Sequence, residues 1–234
     1  MAQARDGQGR YHPPMNILRA CPAIISALFF LAGPVRIASA DSYAFQDLRG
    51  KSFARENLVG ADFTGADLRG VTLWKADLTD AIMAGANLTG ANLYTTILVR
   101  TDLSGADMRG ATLSGAVMEG ANLTGATLTG ATLHAANLAG AILRGAMVRD
   151  ASLVSASLRG ADCFATSFRS ANLRWADLGT ASLVEASLVG SILTGTNLEG
   201  AVLTNASMSE AIGVDLTGSI WDETTTGIDP AWPR

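Results

Sequence analysis

The sequence predicts an all-β solenoid, a chain that turns a corner every five residues and stacks coil on coil. Three observations predict it. From Leu48 to Met208 every fifth residue is apolar, for 33 repeats without an insertion. Two residues before these positions, alanine fills 24 of 30 places between Ala61 and Ala206. Two residues after them, glycine fills 18 of 33. The other positions are mostly Asp, Asn, Ser, Thr and Arg.

The stretch "ANLTGATLTGATL" (121–133) isolates the pattern. An α-helix advances about 100° per residue, so leucines five apart would wander over every face. A strand alternates faces, so a step of five would send each leucine to the opposite side. The leucines share one interior only if the chain bends once per repeat. Alanine is then the second inward residue, and glycine beyond the leucine suits a tight turn, because it accepts positive φ at no steric cost. Arg49, Arg69, Arg109, Arg149 and Arg169 recur at multiples of 20, with Thr89 and Thr129 in the gaps, which favours four repeats per coil.

"ADLRG" (66–70), "ADLTD" (76–80), "ANLTG" (86–90 and 121–125) and "ADLGT" (176–180) resemble the A-[DN]-L-x-x motif of the pentapeptide-repeat family. The resemblance implies a right-handed quadrilateral β-helix with four pentapeptides per coil. It gives about eight coils over residues 41–210, about 40 Å long at ~4.8 Å per coil.

Three segments follow. Residues 1–40 read as a secretory signal peptide: Arg5, Arg10 and Arg19, then the apolar run "CPAIISALFFLAG" (21–33), then Ala38-Ser39-Ala40. Met15 offers an alternative start with a more typical signal length. Residues 41–210 are the repeats. Within 211–234 the frame breaks at Gly213 and "VDLTGSIWD" resumes shifted by three, so Trp221, Pro230, Trp232 and Pro233 read as a C-terminal cap and tail. At the other end Tyr43 and Phe45 are expected to cover the core, with Lys51, Arg55 and Glu56 guarding the open edge. Open ends also make an end-to-end homodimer the expected mode of self-association.

Without residues 1–40 the chain keeps 13 basic and 20 acidic residues, net −7, which argues against nonspecific nucleic-acid binding. Cys163 is then the only cysteine, so no intrachain disulfide is expected. No Cys/His cluster has metal-ligand spacing, no acidic loop has the calcium pattern and no glycines form a phosphate-binding fingerprint. Neither a catalytic residue, a metal nor a cofactor is expected. Ser114 and His134 should sit one coil apart, close enough to hydrogen-bond, but lack an orienting acid.

The surface carries the candidates. Trp74 and Tyr94 each follow a central leucine one coil apart, so they should stack on one outer face near Lys75 and Arg55. The reading is a binding patch or ordinary cross-strand packing. Arg49, Arg69, Arg109, Arg149 and Arg169 form a stripe on a neighbouring face. It suits an anionic partner or a salt-bridged ladder, since Asp47, Asp67 and Asp107 lie two residues before three of them. The function expected is a non-enzymatic scaffold or protein-interaction module, exported to the periplasm, or to a thylakoid lumen if the source is photosynthetic. Its protein partner is not named by the sequence, and no membrane span survives signal cleavage. The alternative implied by the family is a DNA mimic that inhibits DNA gyrase, which needs the cytoplasm and a strongly acidic face.

Overall fold

A computed structural model describes residues 42–233. The expected signal peptide lies outside the described residues. Each five-residue repeat forms one side of a four-sided coil. The residue before the central one pairs in parallel with its counterpart four repeats later, from Ser42↔Asp62 through Ile192↔Ile212. Four pentapeptides therefore make one coil, and residues 46–205 make eight.

We number the faces by their central residues. Face one carries Leu48, Leu68 and onward, face two Phe53 and Leu73, face three Leu58 and Leu78, and face four Phe63 and Met83. Coil one is 46–65, coil two is 66–85, and the others follow in the same step. Central residues and the alanines two before them are buried from end to end: Leu68, Leu123 and Ala121 are all 0 % exposed. An inward leucine excludes water from the interior, and its neighbouring alanine fills what remains beside the corner.

Each corner is a four-residue turn, closed for instance by Ala126 N–H donating to the Leu123 carbonyl at 3.0 Å. Its third residue has positive φ, whatever its side chain: Gly125 at 65°, but also Ala135 at 52° and Trp175 at 59°. That is the conformation such turns demand at this position. Asp or Asn before the central residue accepts the backbone N–H two residues on, as Asp62 does from Thr64 at 2.9 Å, which tethers the turn. Between coils the main-chain ladder continues, as in Leu123 N–H to Ile142 O at 2.6 Å and Ile142 N–H to Ala121 O at 2.9 Å.

Threonine replaces the inward alanine at 96, 101, 166 and 196, and it is buried there. Each hydroxyl donates to the carbonyl of a central residue one coil back, such as Thr101 Oγ1 to Leu78 O at 2.8 Å. A polar atom thus sits in the core without being orphaned.

The ends differ from the middle. Tyr43 stacks on Phe63 with centroids 4.7 Å apart and meets Phe53 edge-on at 5.6 Å. Phe45, expected beside it over the core, is instead 79 % exposed, because its place in the repeat is the outward corner. At the C-terminus the pairing shortens to Val202↔Ile220 and Ser207↔Thr226. Val214 and Leu216 are buried there, and Trp221, Ile228 and Trp232 pack against the core.

Candidate interaction surface

The corners and tethered Asx residues hold the outward side chains in columns with a repeat of one coil. Arg100, at a corner, reaches straight back along its own column to Asp80 at 2.7 Å, whereas two contact rules govern the residues just after the central position. A residue just after the central position reaches the carboxylate two positions before it. It also reaches diagonally, to the pairing position of the next coil. Arg49 uses both, bonding Asp47 at 2.7 Å and approaching Asp67 at 3.6 Å. Arg69 and Arg109 bond Asp67 and Asp107 at 2.5 Å, each within its own repeat. Arg144 reaches Asp162 on the next coil at 2.5 Å, and Arg159 comes to 3.9 Å of Asp177 by the same diagonal. Hydrogen bonds from Arg49 hold the Asp47 carboxyl down at about 2, and Asp67 and Asp107 are lowered by their arginines in the same way.

The diagonal also corrects the histidine. His134 does not bond Ser114: its Nε2 lies 2.5 Å from Oγ of Ser152, at the pairing position of the next coil. Cys163 is fully buried, and burial pushes its thiol far up, so it stays an unreactive thiol in the core.

The five arginines of the predicted stripe do share face one, but they divide into two groups. Arg49, Arg69 and Arg109 are taken by aspartates. Arg149 and Arg169 are exposed and form no ion pair or side-chain hydrogen bond among the described residues. Met147 and Ser167 occupy the positions two before them, and Ser167 and Ser187 the positions on the diagonal, so neither rule supplies a carboxylate. Arg174, on face two, is in the same state, between Asn172 and Ile192.

Trp74 and Tyr94 lie on adjacent coils of face two, joined by Thr72↔Asn92. Their expected ring-on-ring stack is not among the ring contacts of the described residues. The cations come instead, Arg55 at 4.5 Å from the Trp74 ring and Lys75 at 5.1 Å. Trp74 is half-buried under them, while Tyr94 is exposed.

Reasoning from sequence missed a second aromatic on this same side. Trp175, in coil seven, is 65 % exposed. It occupies a corner and lies flat over Gly195 one coil on, where a Cβ would come within 2.1 Å of the ring carbon Cε3. Ile192 and Ile212 pair along face two just beyond it, and Ile212 is 59 % exposed. The readable signal was a glycine one coil after an aromatic at a corner.

Among the described residues no group of three or more His, Cys, Asp or Glu could hold a metal, and no helix is long and apolar enough to cross a membrane.

Comparison with known families decides the class. The family model for pentapeptide repeats matches in 8 copies, over 57–93, 96–134, 106–145, 149–183 and 181–220. The chain belongs to the pentapeptide repeat family. Its fold is that family's right-handed quadrilateral β-helix. Among solved structures it is similar to HetL, a pentapeptide repeat protein involved in heterocyst differentiation regulation from the cyanobacterium Nostoc sp. strain PCC 7120. The identity is 30 %, over 80 % of this chain and 94 % of that one, with a TM-score of 0.30. QnrB1, a plasmid-mediated fluoroquinolone resistance protein, is 17 % identical over 78 % of this chain and 92 % of its own, with a TM-score of 0.46. A pentapeptide repeat protein from the Arabidopsis thaliana thylakoid lumen is 31 % identical over 50 % and 68 %, with a TM-score of 0.17. No curated protein matches the chain by sequence. Pentapeptide repeat proteins are generally structural or interaction proteins, and no enzyme family is indicated.

Proposed function

We propose that this pentapeptide repeat protein is a non-enzymatic scaffold that binds a protein partner outside the cytoplasm. The carrying observation is the division of labour within the repeat. Two of every five positions are consumed by the core, while the other three are held outward in fixed columns, of which the one just after the central residue carries the widest range of side chains. A rigid surface of this kind presents contacts at little ordering cost. The location is the periplasm, or a thylakoid lumen if the source is photosynthetic, and it rests on the basic, apolar and Ala-Ser-Ala pattern of residues 1–40.

A gyrase-directed DNA mimic is not favoured. The likeness to QnrB1 is one of fold alone, and on face one Asp47, Asp67 and Asp107 are each neutralised by an arginine of the neighbouring column. Mass spectrometry of the native protein tests the location, with an N-terminus at Asp41 expected. A soluble cytoplasmic protein that keeps Met1 or Met15 would overturn it. Crosslinking the exported fraction tests the partner, and a chain that crosslinks to nothing from any face would count against a scaffold.

A further inference from the structure

We propose that face two from coil seven to Ile212, centred on Trp175, docks an acidic polypeptide segment through both its carboxylates and its apolar side chains. This rests on the scaffold reading and specifies the kind of partner.

Trp175 supplies the anchor. One side of its ring is covered by Gly195, and at 65 % exposure the other side faces water. Ile192 and Ile212 continue the apolar surface toward the C-terminus, with Thr194 between them on the same face. An exposed tryptophan among isoleucines, with an arginine beside it, has the composition of an interface centre.

Charge selects the partner. Arg49, Arg69, Arg100, Arg109 and Arg144 all hold carboxylates of this chain. Among the described residues Arg174, next to Trp175, holds none, nor do Arg169 and Arg149 around the corner on face one. Nearby acids do not fill the gap. Asp177 accepts from Gly179 N–H and Asn197 Nδ2, both at 2.9 Å, and Asp150 beside Arg149 forms no ion pair among the described residues. One guanidinium without an anion beside the apolar centre, and two more on the adjoining face, call for an incoming chain with carboxylates. A bare polyanion fits less well. It would leave Trp175, Ile192 and Ile212 uncovered.

The test titrates residues 41–234 with a labelled peptide of mixed glutamate and leucine. Counterparts replace glutamate with lysine, or leucine with serine. The glutamate–leucine peptide should bind, more weakly as salt rises, and both counterparts should lose at least about tenfold in affinity. Trp175→Ala and Arg174→Glu should each lose a similar factor, while Trp74→Ala and Arg109→Ala, with thermal melts as a folding check, should bind as the parent does. Equal binding of the lysine peptide, or an unchanged Trp175→Ala affinity, overturns the proposal. So does preferred binding of a DNA duplex, or a homodimer in sedimentation that Trp175→Ala dissolves. Failure here is separable from failure of the scaffold reading. A photo-crosslinker at Trp74 that captures a partner while the acidic peptide stays free leaves the scaffold standing and removes this surface.

Discussion

Replacing Gly125 with alanine isolates the energetics of the corner. Gly125 has φ of 65°, and a Cβ added there meets nothing within 4 Å, so no clash contributes. The left-handed conformation costs an L-residue roughly 1–2 kcal/mol. Alanine also narrows the unfolded ensemble, which offsets about 0.4–1 kcal/mol. The net loss is about 1 kcal/mol, or a Tm drop of roughly 2–4 °C for a domain of this size. Ala135→Gly runs the experiment in reverse, since Ala135 occupies an equivalent corner at 52° and should gain by a similar amount. Thermal melts by circular dichroism read both. An unchanged Tm for Gly125→Ala together with a lower one for Ala135→Gly would refute the assignment of strain to this position.

Leu123→Asp should unfold several coils, because it places an unpaired charge in the core, whereas Thr124→Asp should change Tm little. Thr101→Val keeps shape and loses the hydroxyl bond to Leu78 O. That carbonyl retains Ala81 N–H at 2.9 Å, so denaturant titration should show a loss of only about 0.5–1.5 kcal/mol. Glu56 is half-buried, and burial raises its pKa, so the folded chain holds that proton more tightly than the unfolded one. Its destabilising effect is absent at low pH and sets in as pH rises past the usual carboxylate range. Glu56→Gln should therefore raise Tm at about pH 7 and give no advantage near pH 3. Asp47 has the opposite sign: its fork with Arg49 is fully present at neutral pH and lost as pH falls from about 4 toward its depressed value of about 2.

The core was legible because it depends on one period. Leucine, alanine and glycine each recur with a fixed offset, and a backbone turning every five residues is the one geometry that gathers them. The surface was legible only in part. Register placed Trp74 and Tyr94 on one face, yet the state of Trp74 depends on Arg55 and Lys75 folding over its ring. The His134 contact failed because the side chain just after a central residue leans diagonally, to the pairing position of the next coil, rather than straight up its own column. That lean also decides which arginines are free, since Arg149, Arg169 and Arg174 meet serine, serine and isoleucine along it. The offset comes from the coil's geometry, and no local motif in the sequence encodes it. Trp175 was overlooked because it sits at a corner, where the repeat calls for glycine.

Every surface assignment, the Trp175 face included, follows from a coil of four pentapeptides, and cysteine crosslinking measures that length directly. Thr112 and Thr132 pair across adjacent coils on face two. Neighbouring strands lie about 4.8 Å apart, close enough for a disulfide after slight adjustment. In residues 41–234 Cys163 is the one native cysteine, and being buried it should not compete. With Thr112→Cys and Thr132→Cys in one chain, mild oxidation should close an intramolecular disulfide in high yield. Thr112→Cys with Thr127→Cys or Asn137→Cys should stay reduced. Efficient closure of either of those pairs, with Thr112→Cys and Thr132→Cys left as thiols, would contradict the four-sided coil.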